Sequence, residues 1–226
     1  MQLVGALSRK HKGQNLADIL HLEDGEIPIF DNIEQALLEV DFDVLVDYKS
    51  PEVGKRNILA TLKKGKSVVV GTSRLTNEDY YEIEKIAVDN DTSVLAVGNF
   101  AITVVLLQKF AEMAAKYIPN YEIIDYAHQD KIDSPSGTVR ELAHRLSQIQ
   151  KAAVHVSNDE LLGDTASRGA NLDSVQVNSV RLPGYVICIE TILGLKDEKL
   201  TIRHDAGAGA QPYVQGALLA IENVRM

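Results

Sequence analysis

The first hundred residues repeat one pattern: a short apolar run, an amphipathic stretch, and another apolar run. The runs 3–7, 44–48, 67–71 and 94–98 are rich in Val and Leu and nearly continuous. That predicts parallel strands covered on both faces, because a strand with one wet face alternates polar and apolar positions. Between the second and third runs, Val53, Ile58, Leu59 and Leu62 recur at helical spacing across 51–64, and Pro51 suits a first turn. Between the third and fourth, Tyr80, Ile83 and Ile86 mark a helix over 76–88, with Thr76 and Asp79 spaced as a capping pair. Strand and helix in alternation make βαβ units and a doubly wound α/β sheet.

The grammar changes after residue 100. A helix over 102–117 carries Val105, Leu106, Phe110 and Ala114, followed by a strand at 121–126 and a helix over 136–150. The segments 175–182, 185–195 and 199–204 read as strands, with a reversal at Lys196-Asp197-Glu198. Consecutive strands without helices between them predict a mostly antiparallel sheet in a separate α+β unit. The stretch 157–172 is polar and reads as a loop; 212–224 is helical, with Val214, Ala217, Leu218 and Ile221 on one face. The domains expected are 1–100 together with 208–226, and 101–207.

With 226 residues, 45% of them hydrophobic, the chain can bury a sizeable core. No apolar run approaches the roughly 20 residues that span a bilayer. The start, Met1-Gln2-Leu3-Val4-Gly5, lacks the basic flank and apolar core of a signal segment, so a soluble cytoplasmic protein is expected. A net charge of −9 argues against a nucleic-acid partner, though not against a small anion, which needs only a local cluster of donors. The single cysteine, Cys188, sits among Val186, Ile187 and Ile189 and reads as a buried strand thiol. Paired carboxylates, metal-ligand spacing and a nucleophile elbow are absent, so no metal is expected and hydrolase chemistry is disfavoured.

The most informative stretch is Lys131-Ile132-Asp133-Ser134-Pro135-Ser136-Gly137-Thr138, which opens a helix. Ser134 can cap and Pro135 can take the first helical position, where its missing N–H costs nothing. Ser136, Gly137 and Thr138 then offer free N–H groups and two hydroxyls, and a helix N-terminus favours an anion. Lys131 and His128 lie upstream as further positive groups. The implied ligand is a carboxylate or phosphate; by spacing alone the turn is equally well a capped helix start and no more.

The stretch Glu122-Ile123-Ile124-Asp125-Tyr126-Ala127-His128 through Lys131 and Asp133 to Thr138 resembles the signature E-I-I-E-x-H-H-x-x-K-x-D-A-P-S-G-T of the dihydrodipicolinate reductases. Asp47-Tyr48-Lys49-Ser50-Pro51-Glu52, Val69-Val70-Gly71-Thr72-Ser73, Asn99-Phe100-Ala101, Ser179-Val180-Arg181, Leu200-Thr201-Ile202-Arg203-His204 and Gln215-Gly216-Ala217 resemble further blocks of that family in order and spacing. The resemblance implies a Rossmann-type nucleotide-binding domain, a substrate domain whose sheet builds a homotetramer, and hydride transfer from NADPH or NADH to an imine-type carbon of a cyclic dicarboxylate in lysine and diaminopimelate biosynthesis. It further implies that Gly71, Thr72, Ser73, Asn99, Phe100 and Ala101 line the nicotinamide pocket. His128 and Lys131 hold the substrate and supply a proton, while Ser136, Gly137 and Thr138 grip a carboxylate.

After the first run stand Ser8, Arg9, Lys10, His11 and Lys12, with no carboxylate at that corner. In folds of this type an acidic residue there binds the ribose 2′-OH of NAD and an arginine suits the 2′-phosphate of NADP, so Arg9 and Lys10 point to NADPH.

Three features depart from the family pattern. The 226 residues begin at the family's second strand and contain no G-x-G-x-x-G, the turn that cradles a pyrophosphate; an incomplete chain is the simplest expectation. Ala127 stands where the first of two histidines belongs. Gly207, Ala208, Gly209 and Ala210 replace the region of a substrate-binding arginine, with Arg181, Arg203 or His204 as candidate substitutes. Two other readings therefore stay open: a dehydrogenase of another amino or imino acid, and a noncatalytic binding or assembly protein.

Overall fold

The computed structural model describes residues 1–23 and 25–225. They form two compact units, one of residues 1–98 with 217–226 and one of residues 99–216.

The first unit runs β1 (Ala6–Leu7), α1 (Leu16–Ile19), β2 (Ile29–Phe30), α2 (Ile33–Glu39), β3 (Val44–Asp47), α3 (Pro51–Leu62), β4 (Ser67–Val70), α4 (Asn77–Asp89) and β5 (Val94–Ala96). β3, β4 and β5 are parallel, with Val44 opposite Ser67 and Val68 opposite Val94. All four residues of β4 are buried, as its unbroken apolar run requires, and Val68 and Val70 pack with Ile58 and Leu62 of α3 and Ile83 of α4. Pro51 does open α3. Thr76 and Asp79 close a reciprocal capping box on α4, with N–H···O distances of 3.2 and 2.9 Å.

The first apolar run gives less strand than its pattern predicts. Only Ala6 and Leu7 are paired, in parallel with β2, and β1 is not bonded to β3. A cavity of about 770 Å³ is bordered by Leu3–Leu7, by Val44–Lys49, and by Ile221, Glu222 and Arg225. A strand earns its regularity from neighbours on its edges, and here one edge of β1 borders that cavity. The elements α1, β2 and α2 have no counterpart in the sequence reading.

The second unit holds α5 (Ile102–Ala115), β6 (Asn120–Ala127), α6 (Gly137–Ile149), β7 (Ala170–Leu172), β8 (Val175–Arg181), β9 (Ile187–Leu195), β10 (Glu198–Ala206) and the start of α7 (Gln211–Asn223). Its sheet has the order β10-β9-β6-β8-β7, in which β6 and β8 are parallel and the other neighbours antiparallel. The expected reversal is a two-residue turn, Lys196-Asp197, because Leu195 already pairs with Glu198. β8 does not pair with β9; β6 lies between them. Part of the predicted loop, Ala170–Leu172, joins the sheet as its edge strand. Leu107 and Ala111 of α5 and Leu142 and Leu146 of α6 pack on Ile123, Ile189 and Leu193 to make the core. Among the described residues no helix is long and apolar enough to cross a membrane, and no cluster of His, Cys, Asp and Glu could hold a metal ion.

Candidate active site

In the first unit the chemistry gathers where β1, β3 and β4 end. Asp47, the last residue of β3, is 2% exposed. Its carboxylate accepts a short hydrogen bond from the Thr72 hydroxyl, one from Asn57 Nδ2 at 3.4 Å and one from Lys49 N at 3.3 Å. Gly71 N donates to Asp47 O at 2.9 Å. Thr72 therefore ties two strand ends together, and its hydroxyl is committed to Asp47. At Gly71 the missing side chain leaves room for the Tyr48 ring, which a Cβ would approach to 2.1 Å.

Beside these strand ends lies a cavity of about 270 Å³ lined by Arg9, Lys49, Arg56, Asp31, Ser8, Ser50 and Asn57 among others. Arg9 and Arg56 make no hydrogen bond or ion pair among the described residues, and Asn57 Oδ1 is buried without a partner. Lys49 Nζ donates to Leu7 O at 2.7 Å, and Lys10 is not part of the lining. The structure also corrects the expectation that this corner has no carboxylate. The parallel pairing of β1 with β2 brings Asp31 to it, where Lys12 binds it at 2.5 Å. That lysine, more than any other neighbour, holds the Asp31 carboxyl below the usual carboxylate range. Arg56 is a polar residue of α3, and the apolar stripe of that helix gives no pointer to it.

Asn99, Phe100 and Ala101 belong to the second unit. Asn99 Oδ1 accepts from Ala101 N at 2.8 Å, at the start of α5. Phe100 and Ala101 are buried, at 6% and 2% exposure.

The second group of candidate residues lies around the start of α6. The helix begins at Gly137 with Ser136 as N-cap, so Pro135 does not occupy the first helical position and Ser134 does not cap. The cause is tertiary: the buried Asp125 carboxylate takes the Ser136 N–H at 2.7 Å, and the Arg140 guanidinium takes Pro135 O. Arg140 N then donates to Ser136 O at 3.0 Å, closing the first helical turn. The N–H groups of Gly137, Thr138 and Val139 have no acceptor among the described residues, and Ser136 Oγ is buried without a partner. Lys131 Nζ stands 2.6 Å from Asp133 Oδ1 and is the main cause of the lowered Asp133 pKa. His128, about half exposed, has Nδ1 3.2 Å from Asp130 Oδ2. His128, Lys131 and Ser136 lie on the segment between β6 and α6, and Gly137 and Thr138 open the helix. Arg140 joins them unread. A cation near a helix N-terminus opposes the dipole, a signal that an anion or another acceptor is near.

Ala127 is 1% exposed at the end of β6, so position 127 lies in the interior and the accessible ring on this turn is that of His128. Neither arginine among the candidate substitutes for one near 207–210 is free. Arg181 is bound to Asp125 at 2.7 Å, and Arg203 forks onto Asp205 at 2.8 and 2.9 Å. That fork is the first cause of the Asp205 carboxyl lying at about 2, while burial, above all, pushes the Cys188 thiol up to about 12.

His204, 8% exposed with Nδ1 buried and unpartnered, lies on the same face of β10 as Ile202, which packs on the core. Burial lowers its pKa. The unfolded chain then takes up a proton near the ordinary value of about 6.5 while the folded chain resists it, so stability is full above that pH and falls as pH drops toward the folded value. Thermal midpoints are expected to decline between about pH 7.5 and 5.5 in the wild type and to be flatter in His204→Gln. Identical slopes in the two would remove His204 as the cause.

Two family models match the chain: dihydrodipicolinate reductase, N-terminus, over residues 1–100, and dihydrodipicolinate reductase, C-terminus, over 103–226. The 4-hydroxy-tetrahydrodipicolinate reductase of Geobacillus thermodenitrificans is 38% identical over 223 residues, covering 99% of this chain and 84% of the relative. That of Bacillus pumilus is 36% identical over 223 residues, covering 99% and 83%. A dipicolinate-bound dihydrodipicolinate reductase from Paenisporosarcina superposes with a TM-score of 0.86 at 30% identity, covering all of this chain and 85% of that one. A dehydrogenase from Chromobacterium violaceum, at 15% identity and a TM-score of 0.59, shares the fold. With both family models and relatives above 30% identity spanning nearly its whole length, this chain belongs to the dihydrodipicolinate reductase family of nicotinamide-dependent oxidoreductases.

Proposed function

We propose that this chain reduces 4-hydroxy-tetrahydrodipicolinate to tetrahydrodipicolinate in lysine and diaminopimelate biosynthesis. The observation that carries the reading is the α6 turn, where three N–H groups find no acceptor among the described residues, with the Lys131 ammonium on the segment that leads into it. A planar carboxylate matches such a row of donors, and the helix dipole favours its charge. Overall one hydride and one proton enter, and the 4-hydroxyl leaves as water. A bound reduced nicotinamide supplies the hydride. Gly137, Thr138 and the Ser136 hydroxyl hold one carboxylate. Lys131 sits where it can neutralise the ligand and deliver a proton, with His128 as the second proton-carrying group. Arg140 adds charge to the same turn.

The residues present fit the ribose-phosphate end of a nicotinamide dinucleotide. Arg9 and Arg56 offer forked donors to a 2′-phosphate, with Lys10 outside the cavity as a secondary charge, and the orphaned Asn57 Oδ1 can accept from a hydroxyl. Asp31 in the same cavity is an acceptor suited to an unphosphorylated ribose. NADPH is the preferred cofactor and NADH a usable one. By the family resemblance Gly71, Thr72, Ser73, Asn99, Phe100 and Ala101 are assigned to the nicotinamide end. No residue of these 226 is assigned to the pyrophosphate.

The test is oxidation of NADPH and NADH with enzymatically generated 4-hydroxy-tetrahydrodipicolinate, run beside calorimetry with dipicolinate. Turnover with NADPH ahead of NADH is expected. A protein that binds no dipicolinate sinks the reading. A substrate panel that includes other cyclic imino acids checks specificity at the buried Ala127 and the exposed Gly207–Ala210 segment. A cytoplasmic homotetramer joined through the sheet of the second unit completes the proposal, and a monomer by light scattering would contradict that part.

A further inference from the structure

β6 alternates half-exposed and buried residues, and its buried row is Tyr121, Ile123, Asp125 and Ala127. Asp125, 1% exposed, is the one charged member of that row. Its Oδ2 accepts from Ser136 N at 2.7 Å and from Arg181 Nη2 at 2.7 Å. Arg181 also donates through Nη1 to Asp125 O at 3.0 Å and through Nη2 to Asp133 O at 2.7 Å. Its own side chain is only 16% exposed, and its Nε is buried without a partner.

A pair this deep carries a large desolvation cost, and well-packed apolar residues usually serve stability as well or better. Its effect is better sought in what it holds. The two residues grip a short segment at both ends. At one end is Asp133, whose side chain fixes Lys131 at 2.6 Å. At the other is Ser136, the N-cap whose neighbouring amides stand open. Nη2 bridges the Asp125 carboxylate and the Asp133 carbonyl while Nη1 holds Asp125 O, so one planar group meets three acceptors in fixed directions, which a flexible ammonium does not reproduce.

We infer that Asp125 and Arg181 are positioning residues for the dicarboxylate site. They hold the Lys131 ammonium and the α6 amides at one fixed separation, so that a ligand meets both at once. Neither touches the ligand. The inference rests on the reading of the α6 turn as the dicarboxylate site.

The test measures dipicolinate affinity of the full chain by calorimetry, with amide hydrogen exchange at 136–139. Arg181→Lys keeps the charge and loses the fork; Asp125→Asn keeps an acceptor and loses the charge. Each is expected to weaken dipicolinate about 10-fold or more, the usual cost of a lost charged hydrogen bond, and to speed exchange at Ser136. Asp125→Glu recovers part of the affinity lost in Asp125→Asn. Arg145→Lys, at an α6 ion pair with Glu112 remote from this segment in sequence, leaves affinity and exchange unchanged. Folded Arg181→Lys or Asp125→Asn protein that binds dipicolinate like the wild type overturns the inference alone. A wild type that binds none overturns the site reading and the inference with it. Should one variant fail to fold, the affinity and exchange of the other decide the matter.

Discussion

Lys131→Met is expected to lower kcat by roughly 10²–10⁴-fold, the range that positioned proton transfer contributes. Dipicolinate affinity should fall less, about 10-fold, because one charged contact is lost while the α6 amides remain. The split matters. Loss of a contact made equally to substrate and transition state raises KM and leaves kcat alone, whereas loss of a proton donor appears in kcat. Lys131 is set up for the second role by geometry: Asp133 anchors its ammonium at 2.6 Å, and Arg181 in turn anchors Asp133 through its carbonyl at 2.7 Å. His128 is held only by Asp130 and is about half exposed. His128→Asn should therefore cost about tenfold or less, below the usual range for a positioned proton donor. Steady-state kinetics of the two variants check this. A kcat that survives in Lys131→Met and collapses in His128→Asn would transfer the proton-donor role to His128.

Much of this arrangement was legible in the sequence, and what was not has specific causes. Local signals held. The unbroken Ser67–Val70 strand, Pro51 at a helix start, the Thr76–Asp79 box and the turn before Glu198 are all decided within a few residues of themselves. The helix that opens at Ser136 and Gly137 was legible for the same reason, since its start lies within a few residues of sequence. Long-range partners were not legible. Asp125 meets Arg181 across 56 positions and takes the Ser136 N–H across 11. Asp31 reaches the Arg9 corner only through the parallel pairing of β1 with β2. Arg181 and Arg203 looked available as charges and are spent on carboxylates. The short β1 shows the same limit from the other side. Its apolar pattern favours a strand, yet pairing on one edge orders only Ala6 and Leu7.

Gly216→Ala is expected to destabilise the protein by about 2 kcal/mol, lowering the thermal midpoint by roughly 4–8 °C for a chain of this size. The substitution looks benign in sequence, because alanine in a helix is favoured over glycine by about 1 kcal/mol. Packing reverses that sign. A Cβ at Gly216 would stand 1.9 Å from Phe100 O, 2.8 Å from its carbonyl carbon and 3.2 Å from its Cα. Those are backbone atoms just ahead of α5, beside a buried ring, and no rotamer change clears them. Either α7 or the 99–101 segment has to shift, and both bear on residues assigned to the cofactor wall, so turnover should drop with stability. Gly71→Ala makes the useful contrast. Its Cβ would stand 2.1 Å from the Tyr48 ring, a side chain 56% exposed rather than backbone. That variant should lose less in thermal midpoint than Gly216→Ala while still disturbing the strand end assigned to nicotinamide. Scanning calorimetry of the two side by side decides it, and a Gly216→Ala midpoint at or above the wild type would show that α7 does not approach Phe100 this closely in solution.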